Sequence, residues 1–397
     1  MSLTKIEKFK QWFNSTVKIP RSAIIIICIL PAVLTALYYS LRSLPYVMEW
    51  VSLYISLPVR NFFGLLSSIY PFSMMEVICT AAGIFLIYYI IKSIRETARR
   101  REKWKLLAKR LLPILVAALY VFSLFCWLWT GGYHAPGFAE RYGFSNEGVA
   151  LSDLASTAVM FAEKANELAP LMERDEDGHY IGNRREMFAS STSIYRGISE
   201  EFPSLGGRLY APKSMFYSWF MSITGYSGMY FALTGEAMIN TWPPLAFMPA
   251  TVAHEHAHQL GIFAEDEANF AGILACITSG DIVFEYAGYM KGLNYLLGAL
   301  SSETESVEIR EIYFRIFENM SDEVAADRRE TFDFWASQKT VNTGIDLIDT
   351  VLTAVVEGTS DTVNTVYDNF LKSQSQELGL KSYGACVDLL VEYFASP

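Results

Sequence analysis

Two histidines four residues apart carry the strongest chemical signal in this chain. They lie in Ala253-His254-Glu255-His256-Ala257-His258-Gln259-Leu260-Gly261, which contains the pattern HExxH. On an α-helix, positions i and i+4 share a face one turn apart, so both imidazoles can reach a single ion. Glu255 stands about 100° further round, where it can activate a water on that ion without ligating it. With five histidines in 397 residues, about 0.004 such matches are expected by chance. The donor set suits Zn2+, and a catalytic zinc takes a third protein ligand while keeping one position open for water. The next acids in the chain are Glu265, Asp266 and Glu267. An oxyanion formed in acyl transfer needs a further donor, and Tyr286 and Tyr289, in FEYAGY, are candidates by type and by proximity in sequence. His256 points about 200° away from His254, so it is assigned a structural role. His134 and His179 sit in polar, loop-like contexts and read as ordinary surface residues; Lys213 has no partner that the sequence identifies.

The elements that must position these residues are mostly helical. Pro243, Pro244 and Pro249 break regular structure just before the histidine segment, and Gly261 can end the helix soon after His258. Apolar residues recur at i, i+3 and i+4 over 151–168, 303–319, 343–356 and 360–373. Ser321, followed by Asp322, Glu323 and Val324, marks a helix start. Residues 228–242 break the pattern and read as two short β-runs around Thr234-Gly235, a hairpin. The five cysteines (Cys28, Cys79, Cys126, Cys276 and Cys386) form no CxxC pair and read as buried free thiols.

Composition splits the chain. It is 52% hydrophobic and 19% charged, against roughly 45–50% and about 25% in soluble domains. Residues 1–110 hold 16 Lys/Arg against 5 Asp/Glu, a net of +11, while residues 111–397 hold 16 against 37, a net of −21. So acidic a second part argues against nucleic acid as a partner. Three stretches, about 22–41, 71–91 and 111–130, are long and apolar enough to cross a bilayer. Basic residues crowd 1–21 (Lys5, Lys8, Lys10, Lys18 and Arg21) and the loop 92–110, whereas 42–70 has only Arg42 and Arg60. The positive-inside rule then makes the N-terminus and the 92–110 loop cytoplasmic, and three spans deliver residues 131–397 to the outside as one domain. The aromatic stretch 45–66 is too interrupted by Glu49 and Arg60 to span and reads as interfacial or packed against the bundle.

The segment from His254 to Phe270 resembles the gluzincin branch of zinc metallopeptidases, whose third ligand is often the first Glu of an ExEA(D/N) run on a following helix. That resemblance implies Glu265 as the ligand, with Glu267 as the alternative, and Asn269 as the residue that orients a histidine. The short gap between His258 and Glu265 requires a tight turn at Gly261. The resemblance also implies that an extended substrate pairs with a β-edge beside the histidine helix; the 228–242 hairpin is either that edge or a cover for the core. More narrowly, TGEAMIN, HEHAHQLG, EDEANF, EYAGY and SYGACVDLL together resemble a bacterial membrane family catalogued as domain of unknown function 3810. The resemblance implies a largely helical, zinc-dependent peptidase-like domain behind N-terminal spans, with no substrate assigned.

The expectation is therefore a mainly α chain: a three-span membrane domain over 1–130 and an extracytoplasmic, zincin-like metallopeptidase domain over 131–397. It would be a multi-pass membrane protein hydrolysing peptide or protein substrates of the cell envelope, with the lipid bilayer as its other partner. A different class, a membrane sensor or scaffold whose zinc only staples helices, shares the histidines but has no need of Glu255. A cytoplasmic processing peptidase would require the reverse topology.

Overall fold

Apolar spacing becomes helix almost throughout the computed structural model, which describes residues 20–98, 102–145, 148–338, 346–374 and 383–395. The basic residues Lys5, Lys8, Lys10, Lys18, Arg99, Arg100 and Arg101 lie outside the described residues, as does the start of the 343–356 stretch.

Three of the described helices are long and apolar enough to cross a membrane: α1 (Arg21–Leu41), α4 (Met74–Thr97) and α5 (Lys103–Leu128). Their large apolar side chains point outward, an arrangement compatible with association with a membrane. The expected loop at 92–110 is largely helix, because α4 runs on to Thr97 and α5 begins at Lys103. Arg110 reaches back across that hairpin to pair with Glu96.

Between α1 and α4 the aromatic stretch is itself helical. Helix α2 (Pro45–Val51) passes through a π-helical turn, Ser52–Ser56, into α3 (Leu57–Ser67). One face of the stretch is buried: Met48 and Val51 pack with Tyr38 and Cys126, and Arg60 of α3 reaches the helix that carries the histidines.

Helices α6 (Phe138–Tyr142), α7 (Leu151–Leu168), α8 (Arg184–Ser190), α9 (Ser218–Thr224), α10 (Met248–Leu260), α11 (Glu265–Ile277), α12 (Ile282–Ser302), α13 (Val307–Glu318) and α14 (Asp322–Ser337) follow. Helix α7 keeps the bounds its apolar spacing gives, and Ser321 caps α14 by accepting from the Val324 amide. Residues 346–373 form one helix, α15 (Asp346–Ser373), rather than two. The polar Gly-Thr-Ser patch at its middle stays helical, and there the Thr359 and Thr362 hydroxyls donate to the Val355 and Gly358 carbonyls. Helix α16 (Tyr383–Ala395) closes the chain. One continuous core runs from Phe138 to Val391, centred on α7, α10, α11, α12 and α16.

The hairpin expected at 228–242 is present. Strands β2 (Gly228–Phe231) and β3 (Glu236–Ile239) pair antiparallel, and β1 (Lys213–Ser214) joins β3 on its other side in parallel. The order β1-β3-β2 leaves β2 at an edge.

Packing crosses the boundary drawn at residue 130. Met75 of α4 is buried with Met215, Met221 and Met238, and Trp129 is buried with Tyr230 and Phe263. Two carboxylates lock this junction in opposite directions. Glu236 of β3 accepts from the Met74 and Met75 amides at the start of α4, and Glu76 of α4 accepts from the Phe216 and Tyr217 amides. Each thereby satisfies backbone donors that would otherwise be orphaned. Lys213, without a visible partner in the sequence, is buried and donates to Glu236 at 2.5 Å and to the Ser67 carbonyl at 2.6 Å. Of the cysteines, all free, Cys126, Cys276 and Cys386 are buried, but Cys28 is half-buried and Cys79 exposed on the outward faces of the apolar helices.

Candidate metal centre

Helix α10 starts with Pro249 in its first turn, where a missing N–H costs nothing, and is buried along most of its length. It ends at Gly261, whose φ of 101° is left-handed. That residue lets the Ile262 amide return to the Ala257 carbonyl, the tight turn the short gap requires. The turn brings Glu265, the first residue of α11, back over the face holding His254 and His258.

Those three side chains converge. His254 Nε2 lies 3.2 Å from Glu265 Oε2, and His258 Nε2 lies 3.6 Å from Glu265 Oε1. Their donor atoms all fall within 4.8 Å of one another, and the two rings are 4.7 Å apart at 85°. A tetrahedral zinc with bonds of about 2.0–2.1 Å has ligand–ligand edges of about 3.3–3.4 Å, so the donor types suit that ion and the two histidine–Glu265 distances lie close to such an edge. His258 Nδ1 is 2.8 Å from the Ile262 carbonyl, which holds a proton on Nδ1 and makes Nε2 the nitrogen that would give up its proton to take an ion. His254 Nδ1 is buried with no hydrogen-bond partner among the described residues.

Electrostatics follow from burial and from Glu265. Burial opposes the charging of His258, yet the Glu265 carboxylate outweighs it and raises the imidazole to about 9. Burial disfavours ionised Glu265, but His258 and then His254 hold it well below the usual carboxylate range. His254, more dominated by burial, is lowered. Burial pushes Glu255 up to about 8. Its Oε2 has no partner among the described residues, and its Oε1 faces Gly228 at the start of the edge strand. A Cβ on Gly228 would stand 2.5 Å from that oxygen, so only glycine lets strand and carboxylate meet.

The other sequence candidates divide. Glu267 points away from the cluster and accepts from the Ala139 amide at 2.9 Å, and burial raises it to about 7. Asn269 accepts from the Tyr295 hydroxyl at 2.9 Å rather than from a histidine ring. Tyr286 is not near the cluster: its hydroxyl donates to Asp327 at 2.6 Å, and Asp327 is held bidentately by Arg174. Tyr289 packs edge-on against Phe161 in the core. His256 is fully buried on Ser191 Oγ at 2.9 Å, as its position on the helix implies, and burial lowers it to about 3. His179 stays exposed near Glu330, whereas His134 is half-buried beside Tyr38, not on the surface.

Three residues at the cluster escape sequence reasoning. The Tyr367 hydroxyl of α15 donates to Glu265 Oε1 at 2.5 Å. Trp129, just past α5, sets its ring edge-on to His258 at 5.4 Å. Arg60 of α3 is 1% exposed and donates to the His258 carbonyl at 3.1 Å, with its guanidinium over Phe263 and near Trp129 and Tyr230. A cation at a helix C-terminus is favourable. Arg60 alone left a trace in the sequence, as a lone cation inside an aromatic apolar stretch.

The fold and site define a mainly helical chain with three apolar helices and a His-His-Glu cluster packed against their ends. The chain belongs to the family described as protein of unknown function DUF3810, whose model matches residues 52–391. The match takes in α3, α4 and α5 as well as most of the residues after 130. No curated protein and no solved structure matches the chain.

Proposed function

We propose that this protein is a membrane-anchored, zinc-dependent metalloendopeptidase of zincin type, its site on the extracytoplasmic side. The observation that carries the reading is the convergence of His254, His258 and Glu265 with Glu255 buried beside them. Zinc held by those three groups would lower the pKa of a water and polarise a scissile carbonyl. Glu255, buried beside the three with an Oε2 that meets no partner among the described residues, would serve as the base that takes the water proton and passes it to the leaving amine. Tyr367, with its hydroxyl at Glu265, takes the oxyanion-donor role first sought at Tyr286 or Tyr289. Edge strand β2, meeting Glu255 at Gly228, offers a backbone rail for an extended peptide. Orientation rests on the basic residues flanking the apolar helices.

The second reading, a sensor or scaffold with structural zinc, is favoured by one observation: the three side chains are only 5–18% exposed beneath Tyr367. The test is zinc content and peptide cleavage by the full chain, wild type against Glu255→Gln. The peptidase reading expects zinc retained and kcat down by about 10²–10⁴. Wild type that binds zinc and cleaves nothing supports the scaffold, and Glu255→Gln that still cleaves removes the assigned base.

A further inference from the structure

From the π-helical turn through α3 the helix is inside out. Ser52, Ser56, Arg60, Gly64 and Ser67, spaced about one turn apart, form its buried face against the protein, while α2 before it buries Met48 and Val51. Phe62 (56% exposed), Leu65, Leu66 and Ile69 (70%) lie on the open side. An amphipathic helix on a water-soluble domain does the reverse. A second exposed apolar group sits on the turn into α9, where Phe216 is 81% and Trp219 46% exposed, with Phe220 beside them. That turn is fixed against α4: Glu76 holds the Phe216 and Tyr217 amides, and the Tyr217 hydroxyl meets Thr80 Oγ1 at 2.9 Å. Thr80 lies six residues into the apolar helix, about 9 Å along it. The aromatic turn is therefore level with the first part of a membrane-crossing segment, where aromatic side chains favour the bilayer interface.

We infer that residues 44–72 and the Phe216–Phe220 turn are a lipid-docking surface that seats the metal centre at the bilayer surface, so that its substrate is a membrane-anchored polypeptide cut close to the membrane. The substrate class rests on the peptidase reading above; the docking surface does not. The occupant is the bilayer that takes α1, α4 and α5, because exposed large apolar side chains recur along the chain from Leu44 through Phe72 and on into Val77 and Ile78 of α4. The centre lies within one side-chain layer of that surface. Trp129, the residue after α5, touches His258, and Arg60, on the inner face of the docked helix, holds the His258 carbonyl. A soluble protein would have to reach down to this level, whereas an anchored chain is delivered there and held at high local concentration.

The full wild-type chain, reconstituted in phosphatidylcholine vesicles carrying some phosphatidylcholine with a diazirine on its acyl chain, tests the surface directly. Illumination and peptide mapping are expected to find lipid adducts in 44–72 and 216–220 as well as in the three apolar helices. Adducts confined to 22–41, 74–97 and 103–128 would overturn the docking surface. In the same vesicles, one peptide sequence is offered free in solution and fused to a single membrane-spanning anchor. The anchored form is expected to be cut about tenfold faster or more, with the advantage lost when a long Gly/Ser spacer separates it from the anchor. Equal cleavage of both forms would overturn the substrate class and leave the peptidase reading standing. Cleavage of neither would defeat the peptidase reading, and the substrate class with it, while the adducts still decide the surface.

Discussion

Each acid around the histidines has a different job, and substitutions separate them. Glu265→Gln is expected to lose zinc, because it removes an ionised donor shared by both imidazoles. Glu267→Ala is expected to keep zinc by metal analysis but to lower stability by about 1–3 kcal/mol, since it orphans the Ala139 amide. Gly228→Ala drives a methyl into Glu255 Oε1 and is expected to lower kcat on the order of 10²-fold with zinc unchanged. Among the tyrosines, Tyr367→Phe is expected to cost about 10²–10³ in kcat. Tyr286→Phe is expected to leave cleavage intact and to show only in thermal unfolding, because its hydroxyl serves Asp327. Unaltered kcat in Tyr367→Phe would return the oxyanion role to an unassigned group.

At the level of elements, the site depends on ties between segments far apart in sequence. Lys213, Glu236 and the start of α4 form one buried junction. Lys213→Met strips Glu236 of its buried countercharge and is expected to cost about 3–5 kcal/mol, read by chemical denaturation of the full chain. Arg60→Met removes the donor on the His258 carbonyl and is expected to weaken zinc about 10–100-fold, read by competition with a chelating dye. Unchanged affinity would reduce α3 to a lipid contact. Such ties mark where the sequence stops being informative. Local signals survive: HExxH, the left-handed Gly261, helix 151–168, the Ser321 cap and the hairpin at Thr234-Gly235 all depend on neighbours in the chain. Tyr367, Trp129 and Lys213 acquire meaning only when α15, the end of α5 and β1 fold onto the same place. Asn269 shows the same limit: its position relative to Glu265 was visible, but the approach of Tyr295 from α12 decides its partner.

For the whole molecule, the apolar helices and the helical core after residue 130 are packed together rather than linked by a spacer. Trp129 and Met75 belong to clusters shared with the sheet, and the family match begins within the π-helical turn that leads into α3. The charge asymmetry and the three apolar stretches were legible from composition, whereas the burial of one face of 45–67 against α10 was not, because a lone arginine among aromatics looks interfacial until its partner is placed. Removal of zinc by a chelator is expected to lower the unfolding temperature of the full chain, since the three donors come from two helices joined by one tight turn. The most direct measurement of the central claim is zinc content together with X-ray absorption at the zinc edge of the purified full chain. One zinc per chain is expected, in a four-coordinate shell of nitrogen and oxygen at about 2.0–2.1 Å with imidazole scattering and no sulfur. No stoichiometric zinc, or a shell containing cysteine sulfur, would contradict it.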